Sequence, residues 1–217
     1  MKKADFIDNS KTQTPDTQSI ITPRAAVEML QKGNKRFLAN KLLERRLDEQ
    51  IAETANGQFP FAIILSCIDS RVPAEIIFDQ GIGDIFNVRI AGNFVNKDIL
   101  GSMEFACKFA GVKLVVVMGH TSCGAVKGAC DSVQAGNLTQ LFEKILPAVD
   151  ATHTAPREDR NSNNLDFVNR VAAKNVKLTI GKIYAESPVL YELYNQQKID
   201  IVPAMYDVSS GKVDFFK

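Results

Sequence analysis

The chain has 217 residues, and 45% of them are apolar, which is enough for one larger domain with a sizeable core. Its 26 basic and 25 acidic residues give a formal net charge of +1 and form no long basic block, which argues against nucleic acid as a partner. No apolar run approaches the ~18 residues of a membrane-spanning helix, so no membrane partner is expected either.

The first 19 residues are polar and are predicted to form a flexible segment, ahead of a single domain over 20–217. Lys2 and Lys3 are not followed by the apolar stretch of a secretory signal. Four cysteines are too few for a disulfide scaffold in a chain of this length. A cytoplasmic location is therefore expected, with a periplasmic location as the alternative if an export signal has been removed.

The domain is predicted to have three parts. Thr22 as an N-cap and Pro23 at the first helical position begin a helical arm over 22–55. An α/β core follows over 60–135, and further helices and strands complete the domain over 138–217.

Apolar strands alternate with helices through this domain. Strands are predicted at 61–66, 84–89 and 113–119, where continuous apolar runs are typical of buried parallel strands. Helices are predicted at 73–81, 98–111, 123–136, 138–149, 163–178 and 187–198. The last segment, 199–216, fits two strands around a Ser-Ser-Gly turn. The alternation predicts an α/β fold, a mainly parallel β-sheet flanked by helices, with an N-terminal helical extension and a C-terminal β-hairpin.

Metal-type side chains follow two of these strands at the point where each strand ends. Cys67 and Asp69 follow the first strand, and His120 and Cys123 follow the third. Ligands in open α/β sheets gather beyond the carboxyl ends of strands, and Cys, His and carboxylate are the zinc ligand set. Each pair alone is weak evidence, because a cysteine at a strand end is usually a small core residue. Together the two pairs predict one zinc ion per chain, bound by the core at 60–135.

The remaining cysteines and histidine do not fit this site. Cys130 lies two helical turns after Cys123 on a predicted helix, ~10.5 Å along its axis, which is too far to share an ion. Cys107 lies between phenylalanines in a predicted helix, so a core position is expected for it. His153 lies in a polar loop without a ligand companion and is interpreted as a surface residue.

Four segments of the sequence resemble the β-class carbonic anhydrases. They are CIDSR at 67–71, GHTSCG at 119–124, FDQGIGDIFNVRIAGN at 78–93 and YDVSSGKV at 206–213. The resemblance runs from about residue 23 to residue 217. It implies a parallel-cored α/β fold in an obligate homodimer, which can pair further into a tetramer, and a zinc-dependent carbonate dehydratase that interconverts CO2 and bicarbonate.

The resemblance also assigns roles to single residues. It implies zinc ligands at Cys67, His120 and Cys123, and substrate-pocket residues at Gln58, Phe86, Ala91, Phe105 and Gly124. All of these pocket residues except Gly124 would serve the pocket of the neighbouring subunit. Ala91 stands where a larger Val is common, and Phe105 stands where some members have Tyr. The chain has no Trp, and Ile64 stands where some members have the Trp of a regulatory bicarbonate site, so that site is not expected in its known form.

Asp69 and Arg71 match the family's Asp–Arg pair. Three protein ligands and one water make a catalytic zinc, whereas four protein ligands close it. Asp69 is within reach to be the fourth ligand, and Arg71 offers it a competing bidentate pairing, so the two residues are expected to gate the site. Two thiolates leave the zinc with a net charge near zero, so its water is expected to be less acidic than at a three-His site. Zinc-hydroxide attack on CO2 should therefore strengthen as the pH rises.

Two other functions fit the same residues. A hydrolase of COS or CS2 on this scaffold would use the same zinc site, because pocket access decides the substrate. A non-catalytic protein could instead hold a structural zinc with Cys67, Asp69, His120 and Cys123. A closed structural site does not need Arg71, so the catalytic interpretation is favoured over the structural one.

Overall fold

The computed structural model describes residues 7–216. This part of the chain contains one five-stranded sheet. The strands are Ala62–Ser66 (β1), Ile85–Arg89 (β2), Leu114–His120 (β3), Asp200–Tyr206 (β4) and Val213–Phe215 (β5). They lie in the order β2-β1-β3-β4-β5, and every neighbouring pair is parallel except the antiparallel pair β4–β5. The predicted α/β class and the C-terminal hairpin are confirmed.

Helices cover the sheet on both faces. Within residues 7–216 they are Pro15–Ile20 (α1), Pro23–Leu38 (α2), Leu47–Thr54 (α3), Ala74–Ile77 (α4), Lys97–Glu104 (α5), Gly124–Cys130 (α6), Asn137–Glu143 (α7), Leu146–Asp150 (α8), Leu165–Glu186 (α9) and Pro188–Asn195 (α10). A π-helical turn, Phe105–Phe109, continues α5. Across this described part of the chain, a helix both long and apolar enough to cross a lipid bilayer is not found.

The core lies on both sides of β1 and β3, whose residues are all buried. Successive side chains of a strand point to opposite faces, so Ile64 packs toward α2 and α4 while Ile63 packs toward α5, α9 and α10. This two-sided burial explains the unbroken apolar runs in the sequence. Because β1 and β3 are parallel neighbours, Cys67 and His120 come to the same edge of the sheet.

Several helices differ from their predicted bounds. The helix predicted over 123–136 ends at Cys130, and the helix predicted over 138–149 is divided into α7 and α8. The helix predicted over 73–81 ends at Ile77, because Asp79 adopts a left-handed conformation (φ 48°) and its carboxylate pairs with Arg36 and Arg45. The helix predicted to end at residue 178 continues to Glu186, where Ser187 caps the next helix.

The polar N-terminal segment is more structured than predicted, although residues 1–6 of it lie outside the described residues. Thr14 begins α1 with a capping box, and the side chain of Gln13 is buried. Gln18 Nε2 donates hydrogen bonds to the carbonyl oxygens of Pro60 (2.7 Å) and Ala110 (2.8 Å). The expectation of flexibility up to residue 19 is corrected here, because polar side chains attach this segment to the domain through hydrogen bonds that composition does not reveal.

Candidate metal centre

Three side chains converge where β1 and β3 end. Cys67, His120 and Cys123 are all buried, and their ligand atoms lie within 4.8 Å of one another. The two Sγ atoms are 3.9 Å apart. Two thiolates bound to tetrahedral zinc at ~2.3 Å would lie ~3.8 Å apart, so the observed spacing fits such an ion.

The imidazole of His120 is held in one tautomer. Its Nδ1 lies 2.9 Å from the carbonyl oxygen of Thr121 and donates a proton to it, which leaves a lone pair on Nε2. Nε2 is buried and has no hydrogen-bond partner among the described residues. A buried polar atom without a partner is costly, and a bound metal ion would supply that partner.

The two thiols interact with each other across the cluster. The hydrogen bond from Cys123 lowers the pKa of Cys67 to about 4, and the same interaction raises the pKa of Cys123. The contact between the two sulfurs therefore favours the thiolate form of Cys67. A dipositive ion would displace the remaining proton, because a metal-coordinating thiol is deprotonated.

Asp69 lies beside this cluster and is held by Arg71. Its Oδ1 accepts hydrogen bonds from the backbone N of Arg71 (3.0 Å) and from Nε (2.9 Å), and its Oδ2 accepts one from Nη2 (2.7 Å). Oδ2 is also 3.8 Å from His120 Nε2. The guanidinium holds the pKa of Asp69 well below its usual range, so this carboxylate stays ionised. The ligand atoms of Cys67, His120 and Cys123 therefore face one point, whereas the carboxylate of Asp69 is turned toward Arg71.

The backbone around the cluster is fixed by contacts that the sequence analysis does not identify. Arg89, the last residue of β2, donates to the carbonyl oxygens of Cys67 (2.9 Å) and Asp69 (2.6 Å). Thr121 donates to Asp207 Oδ1 (3.2 Å) in the YDVSSGKV segment and accepts from the backbone of that segment. Both partners lie in segments that carry the family resemblance, which is the only signal the sequence offers for them.

The predicted pocket residues fall into two groups. Ala91 precedes Gly92, whose N–H lies 3.4 Å from Cys67 Sγ, so Ala91 lies beside the cluster of its own chain. The role of Ala91 in the pocket of the neighbouring subunit stays a prediction. Gly124 follows Cys123 at the start of α6, and no described atom lies within 4 Å of the position that a Cβ would take there.

Gln58, Phe86 and Phe105 are not at this cluster. Phe86 and Phe105 line a cleft of about 590 Å³ beside β2, and Phe105 is 56% exposed. Gln58 is exposed and precedes β1, at the opposite end of that strand from Cys67. The strand alone spans roughly 13 Å, so Gln58 does not reach the cluster of its own chain.

The residues set aside in the sequence analysis do lie elsewhere. The metal-type cluster contains neither Cys107 nor Cys130. Cys107 is buried, Cys130 is half-buried, and His153 is exposed.

A parallel α/β sheet that ends in a Cys-His-Cys cluster, with an arginine-held carboxylate beside it, is the arrangement of a catalytic rather than a closed metal site. The sequence profile of the carbonic anhydrase family matches residues 62–213. Carbonic anhydrase 2 of Mycobacterium tuberculosis is 36% identical over 197 residues, which cover 88% of this chain and 91% of that protein. The carbonic anhydrase of Mycolicibacterium smegmatis is 34% identical over 198 residues, covering 88% of this chain and 92% of its own.

Solved structures agree with this relationship. The β-carbonic anhydrase CafA of Aspergillus fumigatus has a TM-score of 0.67 at 25% identity and covers 89% of each chain. A tetrameric β-carbonic anhydrase of Sordaria macrospora shares the fold, with a TM-score of 0.68 at 23% identity over 78% of this chain and 86% of its own. The chain belongs to the β-carbonic anhydrase family, and it is an enzyme of that class.

Proposed function

We propose that this enzyme binds one zinc ion per chain and interconverts CO2 and bicarbonate. The observation that carries the proposal is the convergence of Cys67, His120 and Cys123 in a chain of this family. Two thiols and an imidazole are soft and borderline donors that suit zinc and do not suit magnesium or calcium. When bound there, zinc acts as a Lewis acid that acidifies a water molecule and so supplies the nucleophile for CO2.

Asp69 and Arg71 act on the reacting water. Asp69 is ionised, and its Oδ2 lies 3.8 Å from His120 Nε2, so a water held at the cluster would be within its reach. Asp69 would accept a hydrogen bond from that water and orient it for attack. Its bidentate pairing with Arg71 keeps its oxygens from becoming a fourth metal ligand, which is the proposed gate.

Substrate recognition is proposed to use both subunits of a homodimer. The Gly124 N–H of one chain and the Gln58 amide of a second copy would receive the oxygens of CO2. Support comes from the position of Gln58, which is exposed at the far end of β1, and from the edge strand β2, whose outer side is unpaired within the described chain. Phe105 and Phe109 lie beside this edge with rings 6.1 Å apart, and they are 56% and 79% exposed. An unpaired strand edge next to exposed aromatic rings is typical of a surface that a second protein chain buries.

The enzyme is proposed to act in the cytoplasm. All four of its cysteines are free thiols, as expected in a reducing compartment, and three of them are buried.

Stopped-flow CO2 hydration and metal analysis test the function. Cys67→Ser and Cys123→Ser should each lose most of the zinc and nearly all activity. The matched controls Cys107→Ser and Cys130→Ser lie outside the cluster and should keep both. A full complement of zinc in Cys67→Ser would contradict the ligand assignment. Faster turnover of COS or CS2 than of CO2 by the wild-type enzyme would contradict the proposed substrate.

A further inference from the structure

Helix α9 reaches the metal centre through a buried asparagine. Asn175 is 3% exposed, and its Nδ2 donates a hydrogen bond of 2.8 Å to the carbonyl oxygen of Gly92. The N–H of Gly92 lies 3.4 Å from Cys67 Sγ, a distance suited to an N–H···S hydrogen bond. One glycine therefore contacts both the helix and a candidate metal ligand.

Gly92 can make both contacts because of its turn conformation. The Asn93 N–H donates to the Ile90 carbonyl (2.9 Å), and Gly92 has φ +79°, which is typical of the third position of a type II turn. The central peptide of a type II turn is reversed relative to type I, and this reversal directs the Gly92 N–H to the sulfur. A side chain is not tolerated here, since a Cβ on Gly92 would lie 2.4 Å from Ile145 Cδ1.

Asn175 attaches this turn to α9. A polar side chain on the buried face of a helix is unfavourable unless it is hydrogen-bonded, and the Gly92 carbonyl is the partner that Asn175 has. Thr179, one turn further along α9, contacts the carbonyl of Asn93 at 3.5 Å, which is a weaker hydrogen bond. Without Asn175 the Gly92 carbonyl would lose this partner, and the adjacent peptide, whose N–H donates to Cys67, would be held less firmly.

We propose that Asn175 is a positioning residue of the metal centre, which fixes the N–H···S hydrogen bond from Gly92 to Cys67 and so sets how strongly this thiolate donates to the metal. An N–H donor withdraws electron density from sulfur and leaves the bound metal more positive. This inference rests on the proposed metal site. Outer-shell partners of metal ligands commonly change metal affinity when they are removed.

The test uses full-length protein loaded with Co²⁺, whose sulfur-to-metal charge-transfer band reports donation from the thiolates. Asn175→Leu removes the donor with little change in volume, and Asn175→Ser keeps a hydroxyl too short to reach Gly92. Both variants should move the band to lower energy, because Cys67 loses its hydrogen bond and donates more strongly. They should also weaken zinc binding roughly tenfold in a chelator competition, because the ligand is no longer held in position for the metal. The second variant keeps the test decisive if the first does not fold.

The matched control is Thr179→Val. It removes a hydroxyl of the same helix that contacts the carbonyl of Asn93 in the same 90–93 turn. It should leave the band and the zinc affinity unchanged. If Thr179→Val shifts the band as far as the Asn175 variants do, the effect is general loosening and the inference is wrong. The inference also fails if folded Asn175 variants keep the wild-type band. A wild-type protein that binds neither Co²⁺ nor Zn²⁺ would instead overturn the proposed metal site itself.

Discussion

At the scale of single residues, the proposed gate depends on the partner of Asp69. Its two oxygens accept three hydrogen bonds from Arg71. The depressed pKa means that Asp69 is ionised far below neutral pH, so its own titration does not explain a rise of activity with pH. The rise expected between pH 6 and pH 9 belongs to the metal centre, with Arg71 holding the carboxylate aside throughout.

Removing Arg71 should therefore favour the closed site. Arg71→Ala should lower CO2 hydration at neutral pH with zinc retained, because Asp69 loses the partner that competes with the metal. Arg71 is half exposed, and a solvent-screened pair of this kind is worth about 1 kcal/mol, or roughly a fivefold effect. The control Arg24→Ala removes a surface ion pair with Glu28, and it should change nothing. Arg71→Ala activity equal to wild type from pH 6 to pH 9 would refute the gate.

A second carboxylate, Asp84, should control stability. It is fully buried, and burial raises its pKa from 3.8 to about 6, although its Oδ2 accepts a hydrogen bond from Gly81 N (2.7 Å). Its Oδ1 has no partner among the described residues, and the charged groups acting on it are Arg45 and Asp79. A folded-state pKa above the unfolded value means that the protonated form favours folding, so stability falls as the pH rises from about 4 to 6.

Asp84→Asn should remove this cost, because an amide can keep the hydrogen bond without a charge. The full shift corresponds to about 3 kcal/mol, so the variant should gain up to that amount at pH 8 and roughly half of it at pH 5. Urea unfolding at the two pH values measures the difference. The exposed Asp150→Asn serves as the control and should show no such gain. If Asp84→Asn changed the free energy of unfolding equally at both pH values, the charge of Asp84 would not be the cause of the change.

At the scale of elements, one buried asparagine connects α2 to the rest of the fold. Asn34 donates to the carbonyl oxygens of Ile77 (3.1 Å) and Gly211 (2.9 Å), and its Oδ1 accepts from Val213 N (3.0 Å). Asn34→Ala would leave these groups unpaired, so the free energy of unfolding should fall by about 3 kcal/mol. Urea titration against the exposed control Asn195→Ala checks this prediction. If Asn34→Ala lowered the free energy of unfolding by less than the control does, the prediction would be wrong, because water would then replace all three hydrogen bonds.

Elements that depend on local pattern could be predicted from the sequence, whereas contacts between distant elements could not. The buried strands β1 and β3 follow from their apolar runs, and Cys67 and His120 follow from the rule that parallel strand ends meet. The early end of α4 depends on Asp79, whose left-handed backbone is fixed by arginines from other segments. The supporting role of Asn175 depends on the packing of α9 against a turn 83 residues away, and no local pattern encodes it.

At the scale of the whole molecule, the candidate metal ligands and the proposed substrate contact Gln58 lie at opposite ends of β1. Cys67 follows β1, whereas Gln58 precedes it. The cleft lined by Phe86 and Phe105 opens beside β2, one of the two edge strands of the sheet. CO2 is small and apolar, so it needs a narrow dry pocket next to the metal. Two copies joined at this edge by a two-fold axis would give each metal centre the Gln58 and Phe86 of its partner.

Complementation between two inactive variants tests this shared site. Cys67→Ser and Gln58→Ala should each be nearly inactive alone. In a mixed dimer one site carries both lesions and the other carries neither, so random pairing should restore about a quarter of wild-type activity. The control mixes Cys67→Ser with Cys123→Ser, whose lesions both lie in the cluster of their own chain, so no intact site forms and no activity should return. A monomer that is fully active in sedimentation would rule out the shared site, because Gln58 cannot reach Cys67 within one chain.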